Sequence, residues 1–210
     1  MLIFKQFWQH SQKLLSPLYR CQLCGIDKQQ RHSLCTDCWQ HLPWLNSHVQ
    51  RQEIQIQIAC HYDYPVNRII QKFKYEQQLH WQNLLAGTLI ELRLPKVQAI
   101  VPMPISNERL SQRGYNQSLM IAKIIAKHLN LPIWQPVARH DLLAQKGLTR
   151  LERMQNIQSQ FHICTDSKIR YRRVLIIDDV VTTGSSIHAL SQQLQQLGCE
   201  KIYAACIAGA

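Results

Sequence analysis

The hydrophobic residues of this chain change their spacing several times, and each change marks a new element. Ile54, Ile56 and Ile58 alternate with Gln55 and Gln57, which predicts a strand with one buried face. Residues 66–74 repeat at helical spacing with Ile69, Ile70 and Phe73 on one side, and 84–94 repeat likewise. Residues 97–101 predict a short buried strand, stopped by Pro102 and Pro104 because proline has no N–H for the ladder. A helix is predicted over 119–129 and a short strand at Ile133-Trp134, between Pro132 and Pro136. Residues 174–177 are continuously apolar, the mark of a strand covered on both faces. Helical spacing over 187–197 closes at Gly198, and 202–207 form the last strand. Strands and helices alternating in this order predict an α/β fold, a mostly parallel sheet with helices on both sides.

The ends and connections read differently. Leu2, Ile3, Phe7, Leu14, Leu15 and Leu18 can form one face of an opening helix, packed on the protein or laid on a lipid surface. Lys5, Gln6, Gln9 and His10 interrupt it too early for a signal-peptide core. No later segment has the roughly 18 uninterrupted apolar residues of a membrane span. The polar run 46–53, after Pro43, is expected to be the exit from an N-terminal module, giving a boundary near residue 52 between units 1–52 and 53–210. Residues 139–153, polar and basic with Gly147, predict a long mobile loop followed by a helix.

A hydrophobic share of 46% with 18% charged residues is that of a packed protein rather than a disordered one. The formal charge of +11 attracts anions: nucleic acid, a membrane surface or a polyphosphate metabolite. Some of that charge is clustered, at Lys168, Arg170, Arg172 and Arg173. Of eight cysteines, Cys60, Cys164, Cys199 and Cys206 are scattered without a disulfide spacing, which fits small apolar residues in a reducing compartment and an expected cytoplasmic location. The other four form Cys21-x-x-Cys24 and Cys35-x-x-Cys38, two knuckles able to hold one tetrahedral metal. Zinc leads, and iron uses the same ligands. The histidines show no spacing that assembles a metal site, and Trp39 and Trp44 suit core packing or base stacking.

The sharpest chemistry lies in 174–186, where a buried strand delivers Asp178 and Asp179 and then Thr182, Thr183, Gly184, Ser185 and Ser186 turn into a helix. Hydroxyls and helix N-terminal N–H groups can surround a phosphate, and Gly184 permits close backbone approach. Adjacent carboxylates are costly unless cations or hydroxyls occupy them, which suits sugar hydroxyls and a hydrated Mg²⁺.

This run resembles the 5-phosphoribosyl-1-pyrophosphate (PRPP) signature of type I phosphoribosyltransferases. The resemblance implies that Asp178 and Asp179 hold the ribose hydroxyls and residues 182–186 the 5-phosphate. Pro102, Met103 and Pro104 then correspond to the pyrophosphate loop, with Arg113 close after it. Arg139, Lys146, Arg150 and Arg153 fall in the segment matching the flexible active-site loop. Further motifs are Tyr64-Pro65, Lys72-x-Lys74-Tyr75, 101–106 as Val-Pro-Met-Pro-x-Ser, Arg109-x-x-x-Arg113-Gly-Tyr-Asn116-Gln117, and Gln145 with Arg153-x-x-Asn156. Together with the four cysteines they resemble the ComF family, which includes competence proteins and GntX-like relatives. Leu142 departs from that pattern, which commonly has threonine three residues before the glutamine. The resemblance implies a cytoplasmic protein, at times peripheral at the inner membrane. It would bind PRPP and single-stranded DNA and work with competence-machinery proteins in DNA uptake. Two alternatives stay open: an active phosphoribosyltransferase of nucleotide salvage, and a GntX-like metal or iron–sulfur accessory protein. Whether transfer occurs is undecided at this level, because such transfer needs no catalytic triad.

Overall fold

The computed structural model describes residues 19–51, 53–141, 160–164 and 169–209. Its strands are β1 (Trp44–Arg51), β2 (Ile54–His61), β3 (Ala99–Pro102), β4 (Val137–Arg139), β5 (Phe161–Ile163), β6 (Arg173–Val181) and β7 (Lys201–Gly209). Its helices are α1 (Thr36–Gln40), α2 (Val66–Tyr75), α3 (Gln82–Ile90), α4 (Asn107–Arg113), α5 (Gln117–Leu129) and α6 (Ser185–Gln196). Five strands form one sheet in the order β1-β2-β7-β6-β3, and β4 and β5 form a separate antiparallel ribbon. Within the sheet β2, β7, β6 and β3 are parallel, and β1 runs antiparallel to β2.

Two cores flank the sheet, and strand periodicity divides β6 between them. Leu175 and Ile177 pack with Ile69, Ile70, Leu84, Leu85, Ile121 and Ile125 from α2, α3 and α5. Val174 and Ile176 pack with Ile187, Leu190 and Leu194 of α6 and with Val137 and Phe161 of the ribbon. Both faces are covered, so residues 174–177 carry no polar position. The α/β architecture expected from the pattern is the one observed.

The details differ in several places. Most of the polar run expected as an exit segment belongs to strand β1. Leu45 and Val49 pack against the second core, while Asn46, His48 and Gln50 are exposed. An edge strand tolerates such polarity because its outer side faces water. β1 and β2 pair with each other on either side of position 52, with Arg51 opposite Ile54. Helix α3 ends at Ile90, short of residue 94. β6 runs on through both acids to Val181. Finally, α4 and the β4–β5 ribbon had no counterpart in the pattern. Ile133 makes only a single parallel bridge to Ile100. The opening helix and the span 142–159 lie outside the described residues.

The cysteine segment is not a separate ball on a tether. Cys21, Leu34, Cys35, Trp39 and Leu42 belong to the same core as α2 and α3. The His32 ring lies against Gly87 of α3, where a Cβ would come within 2.3 Å of its Cγ. Arg31 pairs with Glu91 at 3.0 Å just beyond that helix.

Candidate functional site

A cleft of about 490 Å³ opens where β3 and β6 end, and four chain segments furnish its charges. Open α/β sheets bind ligands at the carboxyl ends of their strands. β6 brings Asp178 and Asp179; the last turn of α2 brings Lys74; α4 brings Arg109 and Arg113; β4 brings Arg139. The local sequence explains each placement. Ser106 caps α4 by accepting the Arg109 N–H at 3.4 Å, and Gly114 ends the helix in the left-handed region at φ 80°. Asn116 caps α5 by accepting the Leu119 N–H at 3.1 Å, and its amide donates to the Met103 carbonyl at 3.1 Å. That bond ties the loop after β3 to the start of α5.

The acids are held in place by neighbouring groups of the chain. Lys74 Nζ lies 2.9 Å from Asp179 Oδ2, and both side chains are largely buried. Ser118 Oγ donates to Asp178 Oδ1 at 3.1 Å, and the Asp179 N–H donates to the same oxygen at 3.0 Å. Burial first, and then the neighbouring Asp179 charge, push the Asp178 carboxyl up to about 7 against those donors and Lys74. Opposite them, burial and then the charge of Arg109 pull the Arg139 guanidinium below its usual value, with Asp178 opposing. Arg139 is aimed by a 2.8 Å bond from Nη2 to Gln160 Oε1 and by the Phe161 ring 5.4 Å from its guanidinium carbon. Arg113 lies over the exposed Tyr75 ring at 5.1 Å. Acids on one side and crowded cations on the other suit a ligand carrying both hydroxyls and negative charge.

Beside the cleft, sharing Asp178 and Ser186 with it, a hollow of about 60 Å³ is lined by residues 180–187. Gly184, at φ 79°, starts α6, so the first-turn N–H groups of that helix, which have no intrahelical acceptor, lie at this turn. Thr183 Oγ1 is 2.8 Å from Ser185 Oγ and accepts the Ser185 N–H at 3.3 Å, which shapes the turn in advance. Hydroxyls, amides and a helix N-terminus in this arrangement can surround a small anion.

The four cysteine sulfurs lie within 4.8 Å of one another. Gly25, at φ 70°, closes the first knuckle with its N–H on the Cys21 carbonyl at 2.9 Å. Cys35 caps α1, its sulfur accepting the Cys38 N–H at 3.4 Å. Burial, followed by hydrogen bonding with Cys35, drives the Cys38 thiol up. Four sulfurs this close, on two knuckles, could together hold one metal ion, which would offset the charge of their thiolate forms. Of the tryptophans, Trp39 is buried and meets the half-buried Trp44 edge-on at 5.1 Å.

Most of the residues predicted for the phosphoribosyl site thus fall in two adjoining places. Met103, Pro104, Arg113, Asp178, Asp179 and Ser186 line the cleft, and Thr182, Thr183, Gly184 and Ser185 line the hollow. Pro102 is buried inside β3, opposite Ile177, and does not line the cleft. Lys146, Arg150 and Arg153 lie outside the described residues. Lys74, Arg109, Asn116 and Ser118 carried no assigned role in the sequence, although the first three stand in motifs quoted for the resemblance. Lys72-x-Lys74-Tyr75 is the signal that points to Lys74.

Residues 116–210 match the phosphoribosyl transferase domain family. Over 204 residues the chain is 30% identical to "Competence protein F" of Haemophilus influenzae, covering 91% of this chain and 85% of that protein. It is 26% identical over 201 residues to "DNA utilization protein YhgH" of Escherichia coli, covering 89% and 82%. It is 26% identical over 184 residues to "Competence protein ComFC" of Bacillus subtilis, covering 85% and 72%. A four-cysteine segment joined to a phosphoribosyltransferase-type fold, and likeness to these relatives over nearly the whole length, place the chain in the ComF family.

Proposed function

We propose that this protein binds PRPP with Mg²⁺ in the cleft and single-stranded DNA on its basic surface, and that it serves DNA uptake from the cytoplasmic side of the inner membrane. One observation carries the ligand reading: an adjacent acid pair, Asp179 buried and Asp178 half-buried, shares with Arg109, Arg113 and Arg139 a cleft that adjoins a hydroxyl-rich turn. Ribose hydroxyls suit the acids, the 5-phosphate suits the turn, and the pyrophosphate suits the arginines. Asp179 fits a bound cation because its buried Oδ2 is partnered by a cation, the Lys74 ammonium at 2.9 Å, and by no other donor. Mg²⁺ there would screen the two carboxylates and the pyrophosphate from one another. Zinc suits the cysteine group, whose donors are all soft sulfurs. No described helix is long and apolar enough to cross a membrane, so contact with the inner membrane would be peripheral.

Titration calorimetry with PRPP tests the reading. Wild type is expected to bind in a Mg²⁺-dependent manner, and Asp178→Ala/Asp179→Ala to lose at least about 100-fold in affinity, since charge-assisted contacts contribute about 1.5–3 kcal/mol each. Equal affinity in the double variant places the ligand elsewhere. Metal analysis tests the second centre: wild type should carry one zinc, and Cys24→Ser should carry much less. A variant that keeps full zinc removes these ligands.

A further inference from the structure

We propose that Lys74 is a tethered cation that pairs with Asp179 and competes there with the divalent metal accompanying the ligand. The inference rests on the reading of the cleft as a site for a metal-bound phosphorylated sugar. Three observations carry it. Lys74 Nζ sits 2.9 Å from Asp179 Oδ2, within a pair exposed by only 18% and 7%. That oxygen is buried, and besides the Lys74 ammonium it accepts no hydrogen bond, so Lys74 is its partner. Lys74 also lines the same cleft as Arg109, Arg113 and Arg139, so the released ammonium can turn to an anion in that cleft.

The placement of Lys74 is built rather than incidental. The Tyr115 hydroxyl donates to the Phe73 carbonyl, fixing the last turn of α2 against the segment before α5. Phe73 is itself fully buried, and its ring meets Tyr115 at 5.7 Å. A flexible four-carbon stem carrying a point charge can leave a carboxylate when a stronger cation arrives. A monovalent occupant keeps two adjacent carboxylates compatible without a metal, and yields to a divalent ion that brings the substrate's own negative charge.

Manganese(II) alone is the probe, read by the paramagnetic resonance of the free ion at one fixed pH. Removing a unit charge this close to the binding oxygen should tighten manganese binding by at least about tenfold in Lys74→Met and Lys74→Gln. Lys74→Arg keeps the charge and should stay near wild type. Unchanged or weaker binding in the Met and Gln variants overturns the proposal. So does failure of both variants to fold, which would make the ammonium a structural element. The same proteins titrated with PRPP and Mg²⁺ separate the two ideas. Tighter manganese binding without any PRPP binding keeps the competition and removes the ligand assignment.

Discussion

Asp178 stands where burial and a second carboxylate both oppose its charge. Its carboxyl is raised from 3.8 to about 7, by burial first and by Asp179 next. A carboxyl raised on folding stabilises the fold below its ordinary value, and that contribution is lost as pH rises through about 7. Asp178→Asn removes the charge while keeping the shape and a polar partner for Ser118. It should therefore raise stability at about pH 8 by about 1–2 kcal/mol, well under the full value of roughly 1.4 kcal/mol for each tenfold change in proton affinity on folding. It should change little at about pH 4, and on the proposed reading it should weaken PRPP binding. Thermal melts across pH check this, and a variant less stable at pH 8 than wild type would contradict it. The acids and the Thr-Thr-Gly turn were legible in sequence because they are consecutive. Their partners Lys74 and Ser118 were not, since each comes from a different helix and only the packing of α2 and α5 brings them in.

At the scale of elements, the contact between α3 and the cysteine segment sets a measurable constraint. Alanine normally favours a helix over glycine by about 1 kcal/mol. At Gly87, however, the added carbon would meet His32 ring atoms at 2.3, 2.6 and 2.7 Å, and His32 sits on a backbone with φ 47°. Gly87→Ala should thus cost about 1–3 kcal/mol, and His32→Ala in the same chain should recover most of it. Urea unfolding of the four proteins in a double-mutant cycle measures the coupling, and additive effects would refute it. Most elements here are readable because their faces bury on a regular period. Helix α4 escapes the pattern although Ser106 and Gly114 bracket it, because none of its residues is buried and its period carries no apolar signal. The ribbon escapes it because its strands are three residues each, too short to show alternation. β1 reads as a linker because an edge strand need not be apolar.

Over the whole molecule, the parallel sheet separates two charged regions. The cleft lies at the carboxyl ends of β3 and β6, whereas Arg172 and Arg173 lie at the start of β6 beside Lys201, with Arg170 shortly before. Asp178 and Asp179 stand five and six residues beyond Arg173 along β6, so the two regions are roughly 17–20 Å apart. These basic residues are exposed, and Arg172 pairs with Glu200 at 3.2 Å near the surface. If they contact phosphates, single-strand affinity should fall steeply with salt, with a log–log slope of about 0.7 per neutralised phosphate and little sequence preference. Arg170→Ala/Arg172→Ala/Arg173→Ala should weaken binding and flatten that slope while zinc content and PRPP affinity stay unchanged. A triple variant with wild-type slope would move DNA to another face.

The length of β6 also fixes where the chain gives up freedom when the cleft fills. Asp178, Val180 and Val181 are paired across to Cys206, Ala208 and Gly209, so the backbone that carries the acids is already ordered by the sheet. Only residues 182–184 lie between that ladder and the first turn of α6. At about 1–2 kcal/mol for each backbone residue newly fixed, ordering the phosphate turn costs at most about 3–6 kcal/mol. The internal bonds of Thr183 with Ser185 lower that figure further. On the proposed reading, entropy is thus lost at the stretch that would fit the 5-phosphate, and almost none at the carboxylates.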